Sequence, residues 1–133
     1  MPPAMADITP EIEATLAKPL HAVVGINRQD ASPQLTVVWF EWDGTSFQFS
    51  TTRSRAKYKN LARDPAISLL VNDPETRSYV VAYGTAEIRD GGHAALSRRL
   101  FARYLPGTDP GDRPDDPDRV VVALTPDRIL SGS

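Results

Sequence analysis

Phe47–Val71 reads FQFSTTRSRAKYKNLARDPAISLLV: a strand, a hydroxyl-rich turn, a short basic helix and a second strand. The helix runs from about Ser54 to Asp64, because Pro65 forces the residue before it out of the helical region. Five basic residues stand between Arg53 and Arg63 (Arg53, Arg55, Lys57, Lys59 and Arg63) with no acid among them. Three hydroxyls, Ser50, Thr51 and Thr52, precede them. Hydroxyls, free backbone N–H groups and cations gathered at a helix start form a site for a phosphate-like anion. The chain as a whole carries a net charge of −2, so this positive cluster is local and points to a bound ligand. The same charge argues against a general nucleic-acid binder.

Upstream, Gln34–Trp42 (QLTVVWFEW) is strongly β-prone and apolar on both faces. Leu35, Val37 and Trp39 share one side; Val38, Phe40 and Trp42 share the other. A sheet with one wet face alternates apolar with polar residues, so the outer face here needs a cover, from a second subunit or a bound cofactor. Asp43-Gly44 is a hairpin signal leading into Ser46–Ser50. Before that strand, Thr9 is an N-cap, Pro10 suits the first helical position and Glu11 and Glu13 favour the helix start. Pro19 ends that helix, His21–Asn27 reads as the first strand and Arg28–Pro33 as a turn. Residues 1–8 read as a flexible tail.

Downstream, Ile67–Val71 leads through a turn at Asn72–Thr76 into a long strand, Ser78–Arg89, in which Gly84 marks a bulge or a close backbone approach. Gly91–Leu105 is an amphipathic helix with Leu96, Leu100, Phe101 and Tyr104 on one side. Pro106–Asp118 holds four prolines and five aspartates and reads as a mobile acidic loop. Val120–Leu124 and Arg128–Leu130 are the closing strands. Six or seven short strands with few helices predict a mainly β fold with flanking helices, a small barrel. With 133 residues, 41% hydrophobic and 24% charged, the chain predicts a single domain over residues 1–133. No apolar run approaches a membrane span, no leader segment is seen, and cysteine is absent, so a cytoplasmic location is expected. His21 and His93 are isolated, with no carboxylate nearby in sequence, and receive no metal or catalytic role. Arg119, just before the closing strand, reads as an ordinary surface arginine, with reach into a partner's site as the alternative.

PQLTVVWFEWDG, FSTTRSRAKYKNLARDPAISLLV and SYVVAYGTAEI together resemble successive blocks of the flavin-binding split-barrel superfamily, the pyridoxamine 5'-phosphate oxidase-like proteins. The R-x-K-x-x-N-L-x-R-D-P spacing from Arg55 to Pro65 and the closing RVVVALTPDRILSG are similar to its branch of deazaflavin (coenzyme F420)-dependent reductases. The resemblance spans roughly residues 20–132. It implies a homodimer of split β-barrels with cofactor sites at the subunit interface. It also implies that the Ser50, Thr51, Thr52 turn and the Arg55/Lys57 pair hold the cofactor phosphate. The strand carrying Gln34, Thr36, Val37, Val38 and Trp39 would lie along the tricyclic ring. Asn60, one helical turn past Lys57 on the same face, would orient the site. The implied activity is hydride transfer from reduced F420 to an electron-poor small molecule. Flavin mononucleotide (FMN) in an oxidase or flavin reductase is the alternative, and a non-catalytic cofactor-storage dimer a third. The surplus cations Arg53, Lys59 and Arg63 favour F420, whose polyglutamate tail is anionic. Arg77 stands where some relatives carry Trp, which bears on the pocket mouth.

Overall fold

The computed structural model describes residues 7–111 and 114–133. Helix α1 (Pro10–Leu16) begins as its sequence directs: Thr9 Oγ1 accepts from the Ile12 N–H at 3.2 Å, with Pro10 in the first turn. Its C-terminal carbonyls are collected by Arg103, whose guanidinium donates to Leu16 O at 2.9 Å and to Ala17 O and Lys18 O. Residues 1–6 of the expected tail lie outside the described residues. Ile8 does not belong to a tail, because it packs against the core.

Seven antiparallel strands follow: β1 (Ala22–Asn27), β2 (Pro33–Val38), β3 (Glu41–Trp42), β4 (Phe47–Thr52), β5 (Ala66–Asn72), β6 (Tyr79–Asp90) and β7 (Arg119–Gly132). Helices α2 (Ala56–Arg63) and α3 (His93–Tyr104) flank them. The strand order is β2-β1-β5-β6-β7-β4-β3. The two edges, β2 and β3, are consecutive in the chain and separated only by Trp39 and Phe40. Three Cα steps cover at most about 11 Å, so the edges must meet and the sheet must curl. The result is a split barrel with helices outside it.

Period-two alternation fills the inside. Val24, Ile26, Phe47, Phe49, Leu69, Val71, Val80, Val122 and Leu124 are buried in one cluster that also takes Ile12 and Leu16 of α1 and Leu61 of α2. Strand β7 is buried on both faces. Val120 and Val122 point inward, while Val121 on the outer face is covered by Leu96 and Leu100 of α3. The bulge expected at Gly84 is present as a register shift between Tyr83 and Gly84 against β7. A Cβ at Gly84 would lie 2.7 Å from Leu124 Cδ1 and 2.8 Å from Thr125 O, so glycine is required there by close approach.

The Gln34–Trp42 stretch is two strands, broken where the chain crosses from one barrel edge to the other. Trp39 lies in the break and is covered by this chain's own α3: it stacks on Tyr104 (centroids 4.9 Å, 5° between planes) and meets Phe101 edge-on. The outer face that lacks a cover is instead a row crossing five strands. Val37 pairs with Val23, Val23 with Leu70, Leu70 with Val81 and Val81 with Leu130. Val37 is 62% exposed, and Leu35, on the same face, 69%. No helix among the described residues is long and apolar enough to cross a membrane.

Candidate functional site

Strand β4 alternates faces through the hydroxyl run, and this splits the three hydroxyls. Thr51 points into the barrel with Phe47 and Phe49; its residue is 3% exposed and its Oγ1 has no hydrogen-bond partner. Ser50 points outward, and its Oγ is likewise buried and unpartnered. Thr52 Oγ1 shares a hydrogen bond with Ser54 Oγ at 3.2 Å, and its carbonyl accepts from the Arg55 N–H at 3.1 Å, closing the turn into α2. Arg55 occupies the N-cap position of α2 and supplies no side-chain oxygen, so the first N–H groups of that helix have no side-chain cap.

Outside the barrel, over β4, lies a cavity of about 820 Å³. Five of the sequence-predicted residues border it: Val37, Val38, Trp39, Ser50 and Lys57. Lys57 is half-buried and makes no hydrogen bond or ion pair among the described residues. Burial first, and the Arg55 guanidinium second, hold its ammonium below the ordinary lysine range. The cavity is therefore bordered by a partly desolvated cation and an orphaned hydroxyl, the donor set an anion would satisfy.

The other predicted residues stand around the cavity rather than on it. Gln34 and Thr36 sit on the Val38 face of β2. Asn60 Nδ2 donates to Gln34 Oε1 at 2.8 Å, tying α2 to the barrel edge, and its Oδ1 accepts from Arg63 at 3.0 Å. Thr51 presents its hydroxyl to the core, and Arg55 is exposed at the helix start.

Two of the surplus cations are not surplus. Arg63 donates to Asn27 O at 2.7 Å as well as to Asn60. Arg53 donates through Nε to Pro117 O at 3.1 Å and through Nη1 to Tyr58 Oη at 2.9 Å; it also pairs with Asp90 and lies over the Tyr58 ring. A cation committed to internal partners adds little attraction for a ligand tail, so only Arg55, Lys57 and Lys59 of the basic helix remain available. Arg77 lies in the β5–β6 turn, where its N–H donates to Asp73 O, and does not border the cavity.

The opposite wall was not legible in the sequence. His93, Ser97, Leu100 and Phe101 project from one face of α3 at helical spacing, polar at the N-terminal end and apolar towards Trp39. His93 is 6% exposed and does have carboxylate company, supplied by the acidic loop. Its Nε2 accepts from the Asp116 N–H and lies 3.7 Å from Asp115 Oδ1, which also accepts from the Ala94 N–H at 3.1 Å. The loop segment 114–118 is thus docked over the cavity, held at α3 by these bonds and at β4 by Arg53, whose N–H donates to Asp118 O at 2.7 Å. Asp112 and Arg113 of the expected loop lie outside the described residues. Arg119, read as a surface arginine, borders the cavity as well.

The family model of pyridoxamine 5'-phosphate oxidase matches residues 8–131. Among solved structures, the chain is 30% identical to an F420 reductase over 92% of this chain and 98% of that one, with a TM-score of 0.82. It is 26% identical to a conserved hypothetical protein from Mycobacterium tuberculosis over 96% of this chain and 86% of that one (TM-score 0.78). It shares its fold, at 14% identity and a TM-score of 0.69, with a pyridoxamine 5'-phosphate oxidase-related, FMN-binding protein from Nostoc punctiforme, over 94% of this chain and 84% of that one.

Proposed function

The chain belongs to the pyridoxamine 5'-phosphate oxidase family, within the flavin-related split-barrel oxidoreductases, and from that premise we propose that it is an F420-dependent reductase of small, electron-poor acceptors. The observation that carries the reading is the half-buried Lys57, unpaired among the described residues, and the orphaned Ser50 Oγ bordering one cavity of about 820 Å³. The reductase with 30% identity over nearly the whole chain favours the deazaflavin. The internal commitments of Arg53 and Arg63 leave fewer cations for an anionic tail, which keeps FMN as the second reading.

The residues present fit a phosphate-bearing flavin-type cofactor. Lys57 and Ser50 would hold the phosphate, the Val37–Trp39 segment and Phe101 would flank the ring, and the Asn60–Gln34 bond would fix α2 against β2. The bound cofactor supplies hydride transfer to or from its ring. The chain supplies position and dryness: Trp39, Leu100 and Phe101 exclude water at one end, and the docked segment 114–118 covers the other. Ser97 is the polar group on the α3 wall whose hydroxyl would serve an acceptor's oxygen as a donor, since His93 Nε2 already accepts from the Asp116 N–H.

The reading includes a homodimer. The five-strand apolar row ends at Val37, and Val37 also borders the cavity, so the site is open along the same edge that lacks a cover. A second copy seated on that row would bury it and close the cavity in one contact.

Paired fluorescence titrations with F420 and FMN test the cofactor. Tight binding of F420 with hydride transfer to an enone or quinone panel is the expected result. Preference for FMN moves the protein to the second reading; binding without turnover of any acceptor points to cofactor storage. Binding of neither refutes the cavity's assignment.

A further inference from the structure

We propose that Arg119 is the second cation of the phosphate clamp, in the position that the family resemblance gives to Arg55. The inference rests on the reading that the cavity holds a phosphate-bearing flavin. Arg119 opens β7 and pairs with Thr52 in the β4–β7 ladder, two positions beyond the Ser50–Val121 pair. Residues two apart on paired strands share a face, so Arg119 emerges on the outward side with Ser50. A diagonal neighbour of this kind lies about 7–8 Å away, which a single phosphate group spans when a long side chain reaches inward. Lys57 borders the same cavity from α2.

All three groups lack partners. Among the described residues the Arg119 guanidinium makes no hydrogen bond or ion pair, Lys57 makes none, and Ser50 Oγ is buried without one. Among the described residues neither carboxylate bordering the cavity forms an ion pair with these cations. Asp115 accepts from the Ala94 N–H and lies beside His93; Asp116 Oδ1 accepts from the Asp118 N–H at 2.9 Å. Arg55 and Arg119 are both exposed, but Arg119 borders the cavity and Arg55 does not. A planar guanidinium, a point-charge ammonium and a hydroxyl lining one cavity make a complementary set for a phosphate dianion. The guanidinium can bind two oxygens at once and Lys57 the third.

The test measures the preference for a phosphate, with no catalysis required. Affinities are determined by fluorescence quenching for whichever cofactor binds the wild type and for its phosphate-free counterpart (FMN against riboflavin, or F420 against its phosphate-free deazaflavin core). Arg119→Gln should weaken the phosphorylated ligand about 10- to 100-fold and the phosphate-free one less than 2-fold. Arg119→Lys should recover part of the loss, and Arg55→Gln should cost less than Arg119→Gln. An unchanged phosphate preference in Arg119→Gln, or equal losses for both ligands, overturns this inference while leaving the cofactor reading intact. A wild type that binds neither member of either pair overturns both. Arg119 has no side-chain partner to lose, so its variants should keep the wild-type melting temperature, which is checked in parallel.

Discussion

Replacing Lys57 with Met keeps the aliphatic stem and removes the charge, and the structure assigns that change two effects of opposite sign. The ammonium is half-buried with no counter-ion, and burial lowers its pKa from the ordinary 10.5. Between the lowered value and 10.5 the unfolded chain binds a proton that the folded chain has released, so stability rises with pH across that window. Below the window both states are protonated and the folded one carries an uncompensated charge. Lys57→Met should therefore stabilise the ligand-free protein at neutral pH. Discounted for a half-exposed group, the gain is about 0.5 kcal/mol, or roughly 2 °C in Tm. The same variant should lose one charge-assisted hydrogen bond to the cofactor phosphate, about 1.5–3 kcal/mol, which is roughly 10- to 150-fold in Kd. Thermal melts with and without cofactor, together with fluorescence titration, read both effects. A lysine that serves packing alone would give the reverse: a lower Tm and an unchanged Kd. That pair of results would refute the assignment of Lys57 to the anion site.

Three further expectations rest on other parts of the molecule. Val37→Glu places a charge in the middle of the proposed subunit contact, so light scattering at micromolar concentration should show a dimer for wild type and a monomer for the variant; a monomeric wild type removes the dimer from the reading. Thr51→Val replaces a buried, unpartnered hydroxyl with an isosteric methyl group and should raise stability by about 1 kcal/mol with unchanged cofactor affinity. Weaker binding by that variant would show that the hydroxyl serves the site after all. Gly84→Ala drives a Cβ into Leu124 and the Thr125 carbonyl and should cost about 2–3 kcal/mol in a denaturant titration; an unchanged midpoint would mean that the bulge shifts freely.

Local signals in the sequence carried much of the fold. The Thr9 cap, the Asp43-Gly44 turn and the Pro65 stop each depend on residues within a few positions of one another, so each is legible along the chain, and the Gly84 bulge is marked by the glycine itself. The break at Trp39–Phe40 was not, because apolar content on both faces looks the same in one strand as in two strands joined at a barrel seam. The site divides along the same line. Ser50 and Lys57 were found from a run of hydroxyls and cations. That Thr51 turns inward follows from strand register, and register is set by β7, whose pairing residues lie roughly seventy positions away. The commitments of Arg53 to Pro117 and Asp90, and of His93 to Asp115 and Asp116, join segments distant in sequence. Composition registers such residues as available charge; only tertiary contact shows that the charge is used.

The central place of β7 also governs how this barrel comes together. The strand that pairs with β4 on one side and β6 on the other is the last of the seven to be reached along the chain. Thr52 meets Arg119 only when a loop of roughly seventy residues closes, a step whose entropy cost precedes any reward and slows formation of the sheet. Before that closure Ser50 and Lys57 exist without Arg119 and without the strand that pairs with β4. A ligand of the cavity consequently recognises the finished barrel and no earlier species. Its concentration enters the folding equilibrium as RT ln(1 + [L]/Kd), so about a hundredfold excess over Kd deepens the native basin by about 2.7 kcal/mol. If the proposed cofactor is that ligand, its supply would act on how long the chain stays folded as well as on how fast it works.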